Sequence, residues 1–471
     1  MNTALALPNA AAAKLAAQAQ GPVLAPGEPG FEAEITPFNL ATTHRPALVL
    51  GAADAADVAA GVRFAAAHGL AAGVQATGHG AHAPIENALL VSTRRMNTVL
   101  VDPAARTATI AAGVTWRDVI TAAAPYGLAP LNGSSSGVGA IGYTLGGGLP
   151  VMGRTFGFAA DHVRSLQVVT ADGAIRTVDA GHEPSLFWAL RGGKGSFGIV
   201  TSLVCGLVPV SRLYGGGLFY PGTAALQVLR AYRPWAAALP DSVSTTLALL
   251  RLPPLPEVPE PLRGQFVVNL RVAAVTDAAE GERLLAPMRA AAPLISDAVA
   301  DMPYTAVDAI NRDPEHPSPV YERATLLRAL TPDAEDTVLA LAGPQAHTPV
   351  AAVALIQLGG ALSRPPAVPN AVGGRDARFA VVAVGVLAPG IAPLVPAAVE
   401  AVIGGLAPYS TGGTLVNFHG IPGDAADRAR PWPAETYSRL RQVKAAYDPA
   451  DMFRFGHAIP PAANVLVPNG R

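Results

Sequence analysis

The sequence has little cysteine, little charge and few aromatic residues. Of its 471 residues one is cysteine, 14% are charged and 6% are aromatic. A single cysteine, Cys205, excludes an internal disulfide and a cysteine-based metal cluster, and no metal site is predicted. Its surroundings, Thr-Ser-Leu-Val-Cys-Gly-Leu-Val, predict a buried thiol in a strand rather than a nucleophile.

The formal net charge is −1, which gives no electrostatic basis for binding nucleic acid or an anionic membrane. Half of the residues are hydrophobic, which excludes general disorder, and the length favours two domains. The composition therefore predicts a cytoplasmic protein that acts on small, weakly charged molecules. The oligomeric state is left open.

Two segments superficially resemble targeting or membrane sequences. The alanine-rich first twenty residues lack a basic segment and a compact apolar run, so we expect a surface helix rather than a signal peptide. Residues 379–399 carry no charge but contain Pro389, Gly390, Pro393 and Pro396. A strand over 379–386, a proline loop and a helix fit this stretch better than a transmembrane helix.

The pattern of the sequence changes near Pro209. Before it, short apolar runs alternate with helical segments and glycine clusters, and Asp54 and Thr115 are predicted helix N-caps. After it, longer strands alternate with amphipathic helices, which predicts an α+β domain with an antiparallel sheet and helices on one face. The predicted strands are 47–50, 89–92, 107–112, 163–170, 214–220, 243–251, 265–275, 351–358 and 379–386. The predicted helices are 54–68, 115–124, 183–190, 224–238, 278–292, 334–341 and 434–447.

The stretch Val74–Gly80, Val-Gln-Ala-Thr-Gly-His-Gly, places one histidine between two glycines. Glycines let the backbone approach a ligand closely, and successive N–H groups in such a turn can hold phosphate oxygens. His79 would then lie at the edge of the ring system to which the phosphates belong. A structural or merely exposed histidine is the alternative.

A second glycine cluster, residues 132–148, contains two familiar patterns. Gly133–Gly137 matches the nucleophile elbow of α/β-hydrolases, and Gly137–Gly142 matches the dinucleotide fingerprint. Both need a strand before and a helix after the motif, yet 130–136 does not resemble a strand and 143–150 does not resemble a helix. A hydrolase and a Rossmann site are therefore disfavoured alternatives, and a ligand-binding loop is favoured.

Taken together, the clusters resemble a known family. The Gly-His turn, Gly142-Tyr-Thr-Leu-Gly-Gly-Gly148, Phe156-Gly-Phe-Ala-Ala-Asp161, Leu186-Phe-Trp-Ala-Leu-Arg-Gly-Gly193 and Phe197-Gly-Ile-Val-Thr201 occur in order, followed by Val416-Asn-Phe418 and Tyr447-Asp-Pro449 with Phe453-Arg454. The chain resembles berberine-bridge-enzyme-like oxidases of the vanillyl-alcohol oxidase / p-cresol methylhydroxylase superfamily over nearly its whole length.

The resemblance implies a two-part FAD-binding domain of the p-cresol methylhydroxylase type, formed by residues 1–209 and 415–471, around a substrate domain at 210–414. It implies FAD attached through a single 8α-histidyl link to His79. The position of a second, cysteinyl link in some relatives is Ser135 here, and a hydroxyl is a far weaker nucleophile than a thiolate. The cofactor-binding residues that it implies are Ala76, Thr77, Gly78, His79, Gly80, Asn132, Gly133, Ser134, Ser135, Val138, Gly139, Gly142, Leu145, Gly146, Gly147, Gly148, Val200 and Asn417.

The catalytic base is less clear, because many relatives carry a glutamate where this chain has Ala354, and no carboxylate occurs between Asp336 and Asp376. Three polar side chains are candidates to face the flavin: Gln357, Tyr409 and His419. Of these, His419 has the pKa range that suits a base near pH 7. Tyr143, inside the glycine loop, is expected to pack on the cofactor.

The resemblance implies an oxidase that takes a hydride from a C–H next to an alcohol or amine and passes the electrons to O₂, giving hydrogen peroxide. The uncharged central strands favour an apolar, secondary-metabolite-like substrate. Two alternatives remain: a dehydrogenase with another electron acceptor, and a flavin-bearing binding or resistance protein that sequesters a small molecule.

Overall fold

The computed structural model describes residues 9–463, which form fourteen α-helices and seventeen strands. The helices are α1 Asn9–Ala16, α2 Phe31–Ile35, α3 Ala55–Ala67, α4 Trp116–Ala123, α5 Ala140–Leu145, α6 Gly153–Phe156, α7 Pro184–Leu190, α8 Ala225–Ala238, α9 Ala278–Arg289, α10 Asp308–Asn311, α11 Pro332–Ala342, α12 Val395–Gly405, α13 Ala425–Ala429 and α14 Ala434–Tyr447. The strands are β1 Val23–Leu24, β2 Leu48–Gly51, β3 Ala72–Gln75, β4 Leu89–Ser92, β5 Val99–Asp102, β6 Thr107–Ala111, β7 Val163–Val169, β8 Ile175–Asp179, β9 Ile199–Gly206, β10 Arg212–Pro221, β11 Val243–Arg251, β12 Phe266–Ala274, β13 Ser296–Asp297, β14 Ala300–Pro303, β15 Val320–Leu327, β16 Ala352–Gln357 and β17 Phe379–Val386.

Two small sheets precede Pro209. The first has the order β1-β2-β4-β3, with β4 parallel to both β2 and β3, and the second is antiparallel with the order β5-β6-β9-β7-β8. One apolar core joins these sheets to the end of the chain, since Leu50, Leu166 and Phe187 belong to the same cluster as Leu440 and Phe453. The C-terminal segment is therefore part of the N-terminal core.

A large antiparallel sheet follows, with the order β13-β10-β12-β11-β16-β17-β15 and with β14 paired to β10. Helices α8, α9, α11 and α12 cover one face, where Val228, Leu285, Val338 and Val399 share a second core. The other face contacts the N-terminal part: Leu326 on β15 packs with Phe158 and Leu415. An α+β fold with helices on one side of an antiparallel sheet is thus confirmed.

Most of the predicted elements are present within one to three residues of their expected ends. The Asp54 carboxylate accepts a hydrogen bond from Asp57 N at 2.9 Å, which confirms that N-cap, and Thr115 forms a capping box with Asp118. Residues 379–386 form β17, and no helix among the described residues is long and apolar enough to span a bilayer. The buried Cys205 lies in β9, and burial raises the pKa of its thiol to about 12.

One expectation about the secondary structure was wrong, and one long strand was missed. The glycine loop was expected to be free of helix after Tyr143, but Ala140–Leu145 forms α5, because Ile141 and Leu145 reach the core and this packing outweighs the low helix propensity of Gly142. Strand β15 was missed, because adjacent charges at Glu322 and Arg323 interrupt its apolar pattern. The predicted boundaries at 209/210 and 414/415 stay predictions.

A buried ion pair fastens the end of α14 to the rest of the core. Lys444 and Asp448 are both fully buried, and Lys444 Nζ lies 2.6 Å from Asp448 Oδ2. The ammonium also donates to the carbonyl oxygens of Ser196 and Phe453, each at 2.9 Å, and Asp448 accepts from Met452 N and Phe453 N. The pair thus connects three stretches of backbone.

We expect Lys444→Met to lower the free energy of unfolding by about 3–5 kcal/mol, because it leaves the Asp448 carboxylate buried without its cation. Urea unfolding followed by tryptophan fluorescence measures the effect. The control is Arg283→Ala, which breaks an exposed pair with Glu280 on α9 and should leave the unfolding midpoint nearly unchanged. Equal effects of the two substitutions would contradict this account.

Candidate cofactor and active site

The turn Ala76–Gly80 directly follows β3 and packs on the segment Pro37–Asn39. Phe38 N donates to Thr77 O at 3.0 Å and Asn39 N donates to Gly78 O at 3.3 Å. Gly78 has φ +76°, and a Cβ at this position would lie 2.5 Å from Pro37 Cβ. Glycine is therefore required here both by backbone conformation and by space.

His79 is held in one orientation by two neighbours. Its ring stacks on Phe38, with centroids 3.8 Å apart and an interplanar angle of 13°, and its Nδ1 lies 2.8 Å from Thr77 Oγ1. Burial lowers the pKa of His79 to about 4, against a smaller opposing effect of Asp313. The imidazole is thus neutral at pH 7, with Nδ1 engaged and Nε2 as the nitrogen left for a ligand.

The glycine loop 132–148 meets this turn. Gly139 N donates to Thr77 Oγ1 at 3.3 Å, so a single threonine hydroxyl contacts both the loop and His79. At the start of the loop Asn132 is fully buried and accepts from Tyr304 Oη at 2.6 Å. The structure therefore brings together two of the glycine clusters that are far apart in the sequence.

Tyr143 supports the loop from inside, and its predicted contact with the cofactor stays a prediction. Its ring lies where a Cβ on Gly133 or Gly148 would be, and it makes an edge contact with Trp116 at a centroid distance of 5.6 Å. Its buried hydroxyl makes no hydrogen bond to the described residues, and burial raises its pKa well above the usual value.

Asn417 closes the other end of the loop. Its Nδ2 donates to Tyr143 O at 2.9 Å, and its Oδ1 lies against Gly146 at a position that a Cβ on that residue would occupy. This Oδ1 is buried and has no hydrogen-bond partner within residues 9–463. Because a buried amide oxygen without a partner is costly, it marks a place where a ligand donor fits.

A third segment, Arg191–Gly195, joins the same loop: Gly192 N and Lys194 N both donate to Leu145 O, at 2.9 and 3.0 Å. Three glycines on the three segments, Gly80, Gly142 and Gly195, face open space. Apart from the adjacent backbone, Lys194 Nζ is the one atom of the described residues within 4 Å of their Cβ positions, at 3.9 Å from that of Gly80. Backbone without side chains around an open volume suits a large planar cofactor.

The remaining predicted cofactor residues lie at various distances from this centre. Ser134 and Ser135 line a cavity of about 320 Å³ together with Arg117, Asp308 and Asp313. Val138 O accepts from Trp116 N, and Val200 is buried in β9, where it pairs with Val168. Their contacts with a cofactor stay predictions.

Two predicted catalytic side chains point away from the pocket, contrary to expectation. Gln357 shares the helix-covered face of β16 with Val353 and Leu355, and its amide bonds Thr245 Oγ1 at 2.9 Å and Ala236 O at 2.5 Å. Tyr409 packs against the same helix-side core. The reason is strand alternation, which sends residue 357 to the face opposite Ala354.

His419 is fully buried, and burial lowers its pKa to about 4. Its Nε2 lies 3.6 Å from Asp427 Oδ2, and its ring centroid is 5.7 Å from that of His457. His457 in turn contacts His82 at 5.7 Å, and His82 Nε2 is 3.4 Å from Glu322 Oε1. Lys194 lies in the same neighbourhood, because its charge helps to lower the pKa of His457.

The sheet face that meets this region is built of small apolar residues at its centre. Ala354 on β16 is paired with Ala248 and Val382, and neither it nor these neighbours carries a titratable group. Charges lie towards the sides: Glu322 on β15, and Arg271 on β12, whose Nη1 is 3.9 Å from Asp313. Neither Glu322 nor Arg271 was predicted from the sequence, and Lys194 was missed as well, although a lysine among glycines was a visible signal.

Comparisons with known proteins agree with this geometry. Residues 46–179 match the model of a family described as FAD binding domain, and residues 431–460 match one described as berberine and berberine like. The (R)-6-hydroxynicotine oxidase of Paenarthrobacter nicotinovorans is 28% identical over 306 residues. That alignment covers 62% of this chain and 63% of the relative, which is less than two thirds of the relative's length.

Solved structures extend the likeness to the whole fold. 6-Hydroxy-D-nicotine oxidase from Arthrobacter nicotinovorans matches with a TM-score of 0.83 and 25% identity, over 94% of this chain and 98% of that one. A carbohydrate oxidase from Microdochium nivale shares the fold with a TM-score of 0.82 and 19% identity, over 97% of this chain and all of the other. Residues 46–179 are therefore those of an FAD-binding domain and residues 431–460 those of a berberine-like segment, and the chain is similar over its whole fold to FAD-linked oxidases of the p-cresol methylhydroxylase type.

Proposed function

We propose that the protein is an oxidase that carries FAD covalently through His79 and uses it to oxidise a small molecule with O₂. The supporting observation is that Ala76–Gly80, the loop 132–148 and Asn417 converge on one pocket bordered by unfilled glycines. The residues fit FAD: backbone N–H groups for its phosphates, an orphaned Asn417 oxygen for a ring donor, and His79 for its attachment. Bound FAD supplies the hydride acceptor.

Attachment through His79 is supported by the state of its ring. A nucleophilic imidazole must be neutral, and the pKa of about 4 keeps it so at pH 7. Phe38 and Thr77 fix its plane, so that little orientational freedom is lost when the bond forms. Thr77 engages Nδ1, which favours attachment through Nε2.

We expect acid-precipitated protein to keep its yellow colour and His79→Ala to lose nearly all of it, because the flavin then lacks its tether. The absorbance of the washed precipitate near 450 nm measures the attached flavin, and that of the supernatant measures the released flavin. The matched control is His182→Ala, an exposed histidine hydrogen-bonded to Asp179, which should keep the wild-type colour. Retention of colour by His79→Ala would refute the link.

For the substrate we propose a compound with an apolar body and a C–H bond next to an alcohol or amine. The row Ala248–Ala354–Val382 supports an apolar contact surface, and Arg271 and Glu322 add polar edges to it. The relatives named above include an oxidase of hydroxynicotine, an amine, and one of carbohydrates. A screen of amines, alcohols, sugars and polycyclic phenols for peroxide release tests this range.

The proton that leaves the substrate heteroatom needs an acceptor, and we propose Glu322 for it. Ala354 cannot serve, Gln357 and Tyr409 face the helices, and the depressed pKa of His419 makes it a weak base. Glu322 projects from the pocket-facing side of β15 towards His82. His419 then packs beside His457.

We expect Glu322→Gln to lower the rate of flavin reduction by a substrate found in the screen by about 10²-fold or more, with a smaller change in substrate binding. Anaerobic stopped-flow absorbance separates the two quantities. Glu400→Gln is the control and should leave reduction unchanged, since Glu400 lies on α12, outside the pocket, and pairs there with Arg323 and Tyr321. Reduction by Glu322→Gln at the wild-type rate would exclude Glu322 as the proton acceptor.

Oxygen as electron acceptor has its own test. We expect chemically reduced protein mixed with air-saturated buffer to reoxidise within seconds and release one hydrogen peroxide per flavin. Reoxidation over minutes, with fast turnover by an artificial electron acceptor, would instead identify a dehydrogenase.

A second candidate, sequestration of a small molecule without turnover, is favoured by one observation: alanine stands at 354. Under that hypothesis a tightly bound compound would shift the flavin spectrum but leave it oxidised without air. Bleaching of the flavin by the compound under anaerobic conditions is the outcome that decides for catalysis.

A further inference from the structure

Lys194 occupies an unusual position between the two halves of the proposed cofactor pocket. It belongs to the segment Arg-Gly-Gly-Lys-Gly that links α7 to β9, and its backbone N is tied to Leu145 O at 3.0 Å. Its Cε lies 2.9 Å from the place that a Cβ on Gly146 would take, and its Nζ lies 3.9 Å from the corresponding place at Gly80. The ammonium therefore lies between the glycine loop and the turn that carries His79.

The backbone at Lys194 is strained. Its φ is +60°, a left-handed conformation that glycine adopts freely and that costs a residue with a Cβ about 1–2 kcal/mol. Both neighbours of Lys194 in the sequence are glycines, the residue type that would adopt this conformation without strain. A lysine that persists in such a conformation, with its side chain directed into a pocket, suggests that the charge itself serves a function.

The ammonium lacks a direct counter-ion in the described part of the chain. It forms neither a hydrogen bond nor an ion pair there, while the neighbouring imidazole of His457 is held neutral. Burial lowers the pKa of Lys194 to about 8, with Glu322 as the nearby carboxylate that limits the shift. At pH 7 the side chain thus remains mainly a cation, and a half-buried cation without a partner is stabilised by an anion.

We propose that Lys194 faces the flavin ring and stabilises the negative charge that the ring gains on reduction. The proposal rests on the proposed FAD site. In the hydride step two electrons and one hydrogen leave the substrate carbon and the proton leaves its heteroatom, so the flavin gains one negative charge; O₂ later takes two electrons and two protons. A cation close to that charge makes the flavin easier to reduce.

The diphosphate of FAD is the other anionic group that the Lys194 ammonium could bind. The residues around Lys194 favour the isoalloxazine ring instead. Lys194 contacts Gly146, whose other neighbour is the orphaned Asn417 oxygen, and it approaches Gly80, the residue next to the proposed attachment point. Both flanks of the ammonium therefore belong to the ring-binding part of the proposed site.

The test compares flavin reduction potentials of purified holoprotein by equilibration with a reference dye. Lys194→Gly is the main variant, because it removes the charge and relieves the strained φ, so it should fold at least as well as the wild type. We expect the equilibrium for two-electron reduction to fall about tenfold, which corresponds to a potential about 30 mV lower. Lys194→Arg, which keeps a cation, should restore most of the wild-type potential.

Arg106→Gly is the matched control, since Arg106 is an exposed residue with φ +51° in the turn between β5 and β6. It should raise or preserve stability and leave the potential unchanged. Potentials are compared on flavin that survives acid precipitation, so that loss of the His79 link is not mistaken for loss of the charge. If acid releases the flavin from the wild type as well, non-covalently bound flavin is compared instead.

An unchanged potential in Lys194→Gly would overturn the proposal. If the potential is unchanged but FAD occupancy falls, the ammonium binds the diphosphate, which also rejects the placement at the ring. Failure of the proposed function has a different signature: the wild-type protein itself would be colourless and would take up no FAD.

Discussion

The pocket depends on one close approach, that of the Asn417 amide to the backbone of Gly146. Any side chain at residue 146 would occupy the place of the Asn417 oxygen, so the glycine loop and the C-terminal segment can meet only where a Cβ is missing. The same amide donates to Tyr143 O and thereby holds α5 against the returning chain. Around this contact the structure collects a turn, a loop and a strand end from distant parts of the sequence.

Burial sets the electrostatics of the site more than charge pairing does. His79, His419 and His457 all have depressed pKa values because they are removed from water, and they are neutral under ordinary conditions. A neutral His79 suits a covalent tether, and with the histidines neutral it is Lys194 that brings a positive charge beside Gly146 and Gly80. The charge that matters for redox chemistry would thus come from a residue placed between glycines, and not from one of the histidines.

The large sheet contributes a surface with few functional groups at its centre. Alternation along β16 sends Ala354 towards the pocket and Gln357 towards the helices, so a sequence neighbour of the pocket does not have to face it. Polar groups enter instead from β12 and from the edge strand β15, through Arg271 and Glu322. The proposed base therefore lies on β15, and not on β16, where many relatives are expected to carry a glutamate.

The sequence by itself determined most of the elements and the likeness to FAD-linked oxidases. Periodic apolar runs defined most strands and helices, because period 2 and period 3.6 are local properties, and the ordered glycine motifs identified the FAD-binding domain. Lys194, Glu322 and Arg271 were not found, and Gln357 and Tyr409 were placed on the wrong side. Which face a side chain takes, and which distant segment it meets, depend on strand register and on contacts between residues hundreds of positions apart, and only the tertiary structure decides these.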